Sequence, residues 1–280
     1  MTKIRKSAVA GSFYPSNVKA LNKIIDGMLK NAENMGFVEI KGLISPHAGY
    51  IYSGSTAAKA YKQIEGMSYE TVIIIGPSHN AYFNGISVGS FDAFMTPLGN
   101  VKVDKDFINE MKKFTSDKIS SDMPQIQEHS IEVQIPFLQK TLNSNFKIVP
   151  IIMGNQSQKN IYDLAMLLYE IGTDKNLLIV SSSDLYHGYN YDECVKEGNE
   201  FVKQILTFDT DTISKYVEDK EFTHMPIACG TGPIISNLIA CKMWDYKRIK
   251  LMDFTNSVDV TNQNPGGYVV GYSSFVIYRK

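Results

Sequence analysis

The sequence is poor in cysteine, histidine and tryptophan, with three, five and one of them in 280 residues. Cys194, Cys229 and Cys241 are odd in number and form no CxxC pair, which excludes a disulfide framework and reads as the reduced thiols of a cytoplasmic chain. A cysteine with special chemistry is then expected to act as a thiolate. Charge of one sign is also missing: 28 Lys plus Arg stand against 29 Asp plus Glu, a net −1, so nothing supplies the basic field that a nucleic-acid backbone needs. Long apolar runs are absent. Val72 to Ile75 and Leu177 to Val180 are strand-sized, far short of the roughly 20 residues that span a bilayer, so no membrane partner is expected. After Lys3, Arg5 and Lys6, the stretch Ser7 to Gly11 is too short and too weakly apolar to be a signal-peptide core. There is no linker rich in Pro, Gly or Ser, no charge block and no internal repeat, which points to one domain over residues 1–280.

What is present is a globular composition, 44% hydrophobic and 20% charged. A chain of this length buries about three quarters of its unfolded surface, enough for a full core and a deep pocket. From Ser16 to Ala32 the apolar residues Val18, Leu21, Ile24, Ile25, Met28 and Leu29 recur at helical spacing, with Ser16 as the expected N-cap. Short apolar strands follow at Gly42 to Ser45 and Thr71 to Ile75, separated by a helical pattern over Thr56 to Ile64. The theme repeats as the strand Lys147 to Met153, the helix Gln158 to Ile171 and the strand Asn176 to Ser182. Strand, helix, strand implies parallel pairing, and near-continuous apolar strands imply a sheet covered on both faces, an α/β/α layering with a mainly parallel centre. Gly85 to Val103 reads as a hairpin excursion or an edge extension. The region from Tyr191 to Trp244 is mostly helical, interrupted at Phe222 to Pro226, and two β-like runs, Arg248 to Phe254 and Tyr268 to Tyr278, close the sheet.

Three of the five histidines follow apolar strands: Ser45-Pro46-His47, Gly76-Pro77-Ser78-His79 and Ser183-Asp184-Leu185-Tyr186-His187. Proline halts a strand, and the next residues emerge at its carboxyl end, where parallel sheets place their ligand crevices. If the strands are neighbours, the imidazoles and Asp184 converge. A fourth contributor is Ala228-Cys229-Gly230-Thr231-Gly232-Pro233, where Cys229 precedes a helix whose positive end would favour a thiolate. Gly230 and Gly232 without a third glycine or a preceding strand are a weak phosphate signal. Cys194 and Cys241 fall inside helical patterns and are expected to be inert. Glu128-His129-Ser130-Ile131-Glu132 begins a helix whose first residues could orient a ligating imidazole. Glu132 is expected to be solvated and His224 to be an ordinary loop residue.

Those residues leave three chemistries open. The leading one is a metal centre ligated by His47, His79 and Cys229, with His187 handling protons and Asp184 ligating or orienting. The second is a metal-free hydrolase or transferase with Cys229 as nucleophile, His187 as base and Asp184 as orienter. The third is a binding module for a peptide or a small anion, without turnover.

Taken in order, Ala10-Gly11-Ser12-Phe13-Tyr14-Pro15, Pro46-His47-Ala48-Gly49-Tyr50, Gly76-Pro77-Ser78-His79, Glu128-His129-Ser130-Ile131-Glu132, Ser183-Asp184-Leu185-Tyr186-His187 and Ala228-Cys229-Gly230 resemble the Memo family, whose prokaryotic members are called AmmeMemoRadiSam system protein B. The resemblance runs from Val9 to the last strand. It implies the fold of the class III extradiol dioxygenases, non-haem iron enzymes that open catechol rings. It also implies a metal site at His47, His79 and Cys229, with Asp184 and His187 completing the pocket and His187 in the place of the dioxygenase acid/base histidine. Iron or copper is the implied metal, with zinc as the further option, and the implied chemistry is redox or oxygen-linked. The implied substrate is an unidentified small molecule or peptide, and the implied partners are radical-SAM and AMMECR-type proteins. Cys229 stands where the dioxygenases have a glutamate, and a soft thiolate in place of a hard carboxylate shifts preference toward Cu(I), Zn(II) or a different iron redox balance.

Overall fold

The computed structural model describes residues 2–115, 122–143, 145–262 and 266–279. The first elements are a short strand β1 (Ile4–Arg5), helix α1 (Val18–Lys30), strand β2 (Ile40–Ser45), helix α2 (Tyr50–Tyr61) and strand β3 (Thr71–Pro77). Helix α1 buries Leu21, Ile25 and Leu29, as its spacing predicts, but its N-cap is Asn17, whose side-chain oxygen accepts from the Ala20 N–H at 3.1 Å. Helix α2 begins six residues before the expected Thr56. Its first turns, Tyr50 to Ser55, are Tyr, Ile, Gly and Ser, weak helix formers on their own, and tertiary contacts hold them: the Tyr50 N–H donates to the Phe13 carbonyl and the Tyr50 hydroxyl to the Val133 carbonyl.

The middle of the chain gives β4 (Ile86–Ser87), β5 (Ala93–Thr96), β6 (Gly99–Lys102), α3 (Lys105–Thr115), α4 (Met123–Ile126), α5 (Ile135–Thr141), β7 (Lys147–Met153), α6 (Gln158–Gly172) and β8 (Leu177–Ser182). Both expectations for Gly85 to Val103 hold: β5 and β6 form a hairpin that β1 joins as a small three-stranded sheet, while β4 extends the edge of the main one. The remainder is β9 (His187–Gly188), α7 (Tyr191–Thr207), α8 (Thr210–Phe222), α9 (Thr231–Met243), β10 (Arg248–Asn256), α10 (Ser257–Thr261) and β11 (Val269–Tyr278). Phe208, in the left-handed region at φ 54°, separates α7 from α8.

The main sheet runs β10-β11-β2-β8-β3-β7-β4, with β9 on β11. Its centre, β2-β8-β3-β7, is parallel, and β11 closes antiparallel on β2. The expected pair of β2 with β3 is therefore parallel but not adjacent. Strand β8, whose Leu177 to Val180 are almost fully buried, takes the innermost place between them. Helices α1, α2 and α5 cover one face and α6 and α9 the other, which gives the α/β/α layering. Among the described residues no helix is long and apolar enough to cross a membrane.

The register sets the chemistry. Ser45 lies opposite Ser182, and Ile75 opposite Ser181. His47, Asp184 and His79, each two residues past the end of its strand, therefore leave the sheet at one edge.

Candidate metal centre

His47, His79 and Cys229 come together as expected, with one ligand atom of each within 4.8 Å of the others. The nearest pair is Cys229 Sγ and His47 Nε2, 3.2 Å apart. Close packing enforces this meeting. A Cβ on Gly230 would lie 2.7 Å from Ser183 Cβ and 2.8 Å from the Ser182 carbonyl oxygen, so only glycine lets the start of α9 approach the end of β8 and carry Cys229 to the cluster. A Cβ on Gly76 would likewise meet Ser130 Oγ, which keeps the Glu128–Ser130 segment against the end of β3.

The hydrogen bonds fix the tautomers of both imidazoles. Ser182 Oγ lies 2.6 Å from the Ser130 carbonyl, which can only accept, so the one hydroxyl proton is spent there. Gln134 Nε2 donates to the same Oγ at 2.8 Å. Its amide orientation is set by the Pro46 carbonyl it also donates to and by the Tyr61 hydroxyl that donates to its Oε1. Ser182 can therefore only accept from His47 Nδ1, 2.9 Å away. The proton is on Nδ1, and the Nε2 lone pair faces Cys229. His79 reaches the same state by another route: its Nδ1 lies 2.9 Å from Glu128 Oε1, a carboxylate that can only accept, which leaves Nε2 free to ligate.

Glu128 is fully buried, and burial alone would raise its pKa, but donors from the His79 ring and backbone and from the Ser130 backbone hold it down at about 2. Its oxygens are thereby occupied. The second grouping of potential ligands, His79, Glu128 and His129, is thus an orienting cluster around His79. His129 stacks on the His79 ring with centroids 4.5 Å apart and packs edge-on against His47 at 5.3 Å. Burial lowers the His47 pKa well below the ordinary value, and the neighbouring His79, His129 and His187 lower it further. Burial likewise takes His129 down to about 4 and lowers His187. Neutral imidazoles with exposed lone pairs are what a cation requires.

Three expectations need correcting. The helix start does not by itself make Cys229 a thiolate: burial, reinforced by the charge of Asp184, pushes its thiol up. A thiolate facing the His47 lone pair at 3.2 Å would have no proton between them, so the thiolate form needs a cation. The metal-free triad is not assembled either, because the ring against the thiol belongs to His47. Asp184 Oδ1 accepts the backbone N–H of His47 at 2.7 Å, which makes Asp184 an orienting group, and burial raises its pKa to about 7. His187 opens β9 beside β11, near enough for a positive charge on it to oppose one on His47.

Glu132 is not solvated. It is fully buried, ion-paired to Arg5, and accepts the Ala8 and Val9 N–H groups and the Tyr14 hydroxyl. Arg5 also donates to the Gln125 and Glu128 carbonyls, so the N-terminal segment braces the segment that orients His79. Cys194 and Cys241 are buried core thiols, as expected. The supporting roles of Gln134, Ser182 and Arg5 are not expected from the sequence. Gln134 alone carries a signal, a polar side chain three residues after Ile131 and four before Leu138, on the face they mark as interior.

The family model for a Memo-like protein matches residues 5–276. The chain belongs to the Memo family. MEMO1 family proteins of Nitrosopumilus maritimus and Thermoplasma volcanium are each 35% identical to it, over 97% and 99% of this chain and 98% and 99% of their own. The MEMO1 family protein of Aquifex aeolicus is 32% identical over 99% of this chain and 97% of its own. Among solved structures, the Escherichia coli K12 protein JW3007 superposes with a TM-score of 0.55 over 85% of this chain and 99% of that one, at 12% identity, a likeness of fold alone.

Proposed function

We propose that this Memo-family protein binds one transition-metal ion through His47 Nε2, His79 Nε2 and Cys229 Sγ and uses it for redox or oxygen-linked chemistry. The observation that carries the reading is the pair of committed Nδ1 protons: Ser182 and Glu128 take them, the His47 Nε2 lone pair faces the Cys229 thiol, and His79 brings a ligand atom within 4.8 Å of both. The donor set fits such an ion. Two neutral imidazoles and one thiolate suit iron, copper or zinc, and three protein ligands leave positions open for a reactant. When bound, the ion would supply Lewis acidity and, if iron or copper, electron transfer.

The chain's own residues do the rest. Asp184 holds the His47 backbone, Glu128 holds His79, and His187, whose pKa burial lowers, would accept a proton from a bound small molecule or peptide. Action together with radical-SAM and AMMECR-type proteins belongs to the same proposal, and co-purification from a native host would test it.

The decisive experiment is elemental analysis and an anomalous-scattering map of protein purified without oxygen, alongside His47→Ala, His79→Ala and Cys229→Ala. Stoichiometric metal in the parent and its loss from folded variants is the expected result. Unchanged metal content in the three variants would overturn the reading.

A further inference from the structure

The end of the sheet opposite the metal centre holds a second chemically unusual group. Lys41, the second residue of β2, is only 9% exposed, and its amine sits 4.5 Å from the centre of the Trp244 ring and 3.3 Å from the Lys175 carbonyl oxygen. It borders a cavity of about 380 Å³ with walls that include Ile40, Met67, Tyr69, Leu177 and Tyr246. Among the described residues, the charged groups around it do not neutralise it. Glu39 is paired with Arg279 at 3.2 Å, and the Lys175 amine with Glu110 at 2.7 Å. Arg279, just past β11, disfavours a second positive charge, and Cys241 on α9 is a buried thiol that burial pushes up to about 12.

An ammonium taken out of water and given an indole face and one carbonyl, without a carboxylate, is poorly compensated. Both of those partners serve a neutral amine as well. Burial accordingly lowers the Lys41 pKa to about 8, so a sizeable part of it is the free base near neutral pH. Free-base amines are nucleophiles, and lysines made reactive by desolvation are the common route to covalent lysine chemistry.

We propose that Lys41 is an acyl-acceptor site, modified by small acyl phosphates or acyl thioesters that enter the cavity beside it. The lone pair on Nζ forms the amide bond to the acyl carbon, and the bond from that carbon to the phosphate oxygen or thioester sulfur breaks. The phosphate or thiolate leaves with the electron pair, and the amine proton passes to water. The amide is uncharged and relieves the buried charge, so the product suits its surroundings better than the ammonium does. The site lies at the amino ends of the strands and is independent of the metal reading.

Acetyl phosphate is the probe, applied to the whole folded chain across pH 6.5 to 10, with acetylation at each lysine read by peptide mass spectrometry. Lys159 and Lys196, whose side chains are 75% and 79% exposed, serve as references. The expected result is that Lys41 is acetylated about tenfold faster than either at pH 7.5 and that its rate levels off above about pH 8. The rates at the two exposed references should go on rising up to pH 10. In denaturant the lead should vanish. A Lys41 rate rising in parallel with the references, no acetylation at Lys41, or a lead that survives denaturation would each overturn the proposal.

Discussion

Cys229 Sγ stands 3.2 Å from His47 Nε2, a nitrogen that carries no proton. Without a cation the thiol donates to that lone pair. In the proposed centre a cation would displace the thiol proton and take both atoms as ligands. The two histidines are not equivalent in this respect, because His79 leans on the carboxylate of Glu128 and His47 on the hydroxyl of Ser182.

That inequivalence predicts unequal losses. Glu128→Gln removes the charge that polarises His79 and is expected to weaken metal binding about 10–100-fold. Ser182→Ala removes only a neutral acceptor from His47 and is expected to cost less than about tenfold in affinity, while the unpaired Gln134 and His47 donors cost about 1–3 kcal/mol of stability. Competition titration with Co(II) or Zn(II), with urea unfolding alongside, separates the two. Equal affinity losses would mean that the hydroxyl and the carboxylate tune their rings alike.

The difference between these two supports also marks how far the sequence can be read. His47, His79 and Cys229 are legible because proline-terminated strands and a glycine-flanked helix start put each at an element's end. Asp184 is legible as a site residue but not in its role, since whether it ligates or holds a backbone N–H depends on atoms far away in sequence. Ser182 is a strand residue like any other until Gln134 and Ser130 arrive beside it, 48 and 52 residues away. The placement of β8 between β2 and β3 is a sheet-level outcome that no local pattern encodes. Glu132 departs from the rule that charge means solvent, because its partner Arg5 lies 127 positions away in the sequence.

The Arg5–Glu132 pair predicts an asymmetry of its own. Glu132→Ala strands a buried guanidinium and leaves the Ala8 and Val9 N–H groups without their acceptor, at a cost expected near 3–5 kcal/mol. Arg5→Ala should cost less, because Glu132 keeps both backbone donors and the Tyr14 hydroxyl. Urea unfolding midpoints of the two variants give the ranking, and the opposite order would show that the contacts of Arg5 with the Gln125 and Glu128 carbonyls dominate.

Glu128 ties stability to acid. Its folded pKa of about 2 lies below the ordinary 4.5, so the stabilisation is complete above pH 4.5 and is lost as pH falls toward 2. On the order of 2–3 kcal/mol is at stake. Unfolding of metal-free protein at pH 5, 4 and 3 should show a drop that Glu128→Gln lacks. A variant with the same acid limb as the parent would assign that drop to other carboxylates.

Lys41 gives a slope of the same sign at higher pH, but as a cost that is relieved and not a stabilisation that is lost. Its folded pKa, about 8, lies below the ordinary 10.5, so between those values the unfolded chain binds more protons than the folded one, and stability from this group rises with pH across that window. Below pH 8 the buried ammonium is a standing cost. Lys41→Met keeps the stem over Trp244 and removes the charge, so it is expected to stabilise the protein at pH 7 by on the order of 1–3 kcal/mol. The gain should shrink toward zero near pH 10. Urea unfolding of parent and variant at pH 7, 8.5 and 10 measures it, and a gain that stayed constant with pH would mean that Met packs better, not that a charge had been relieved.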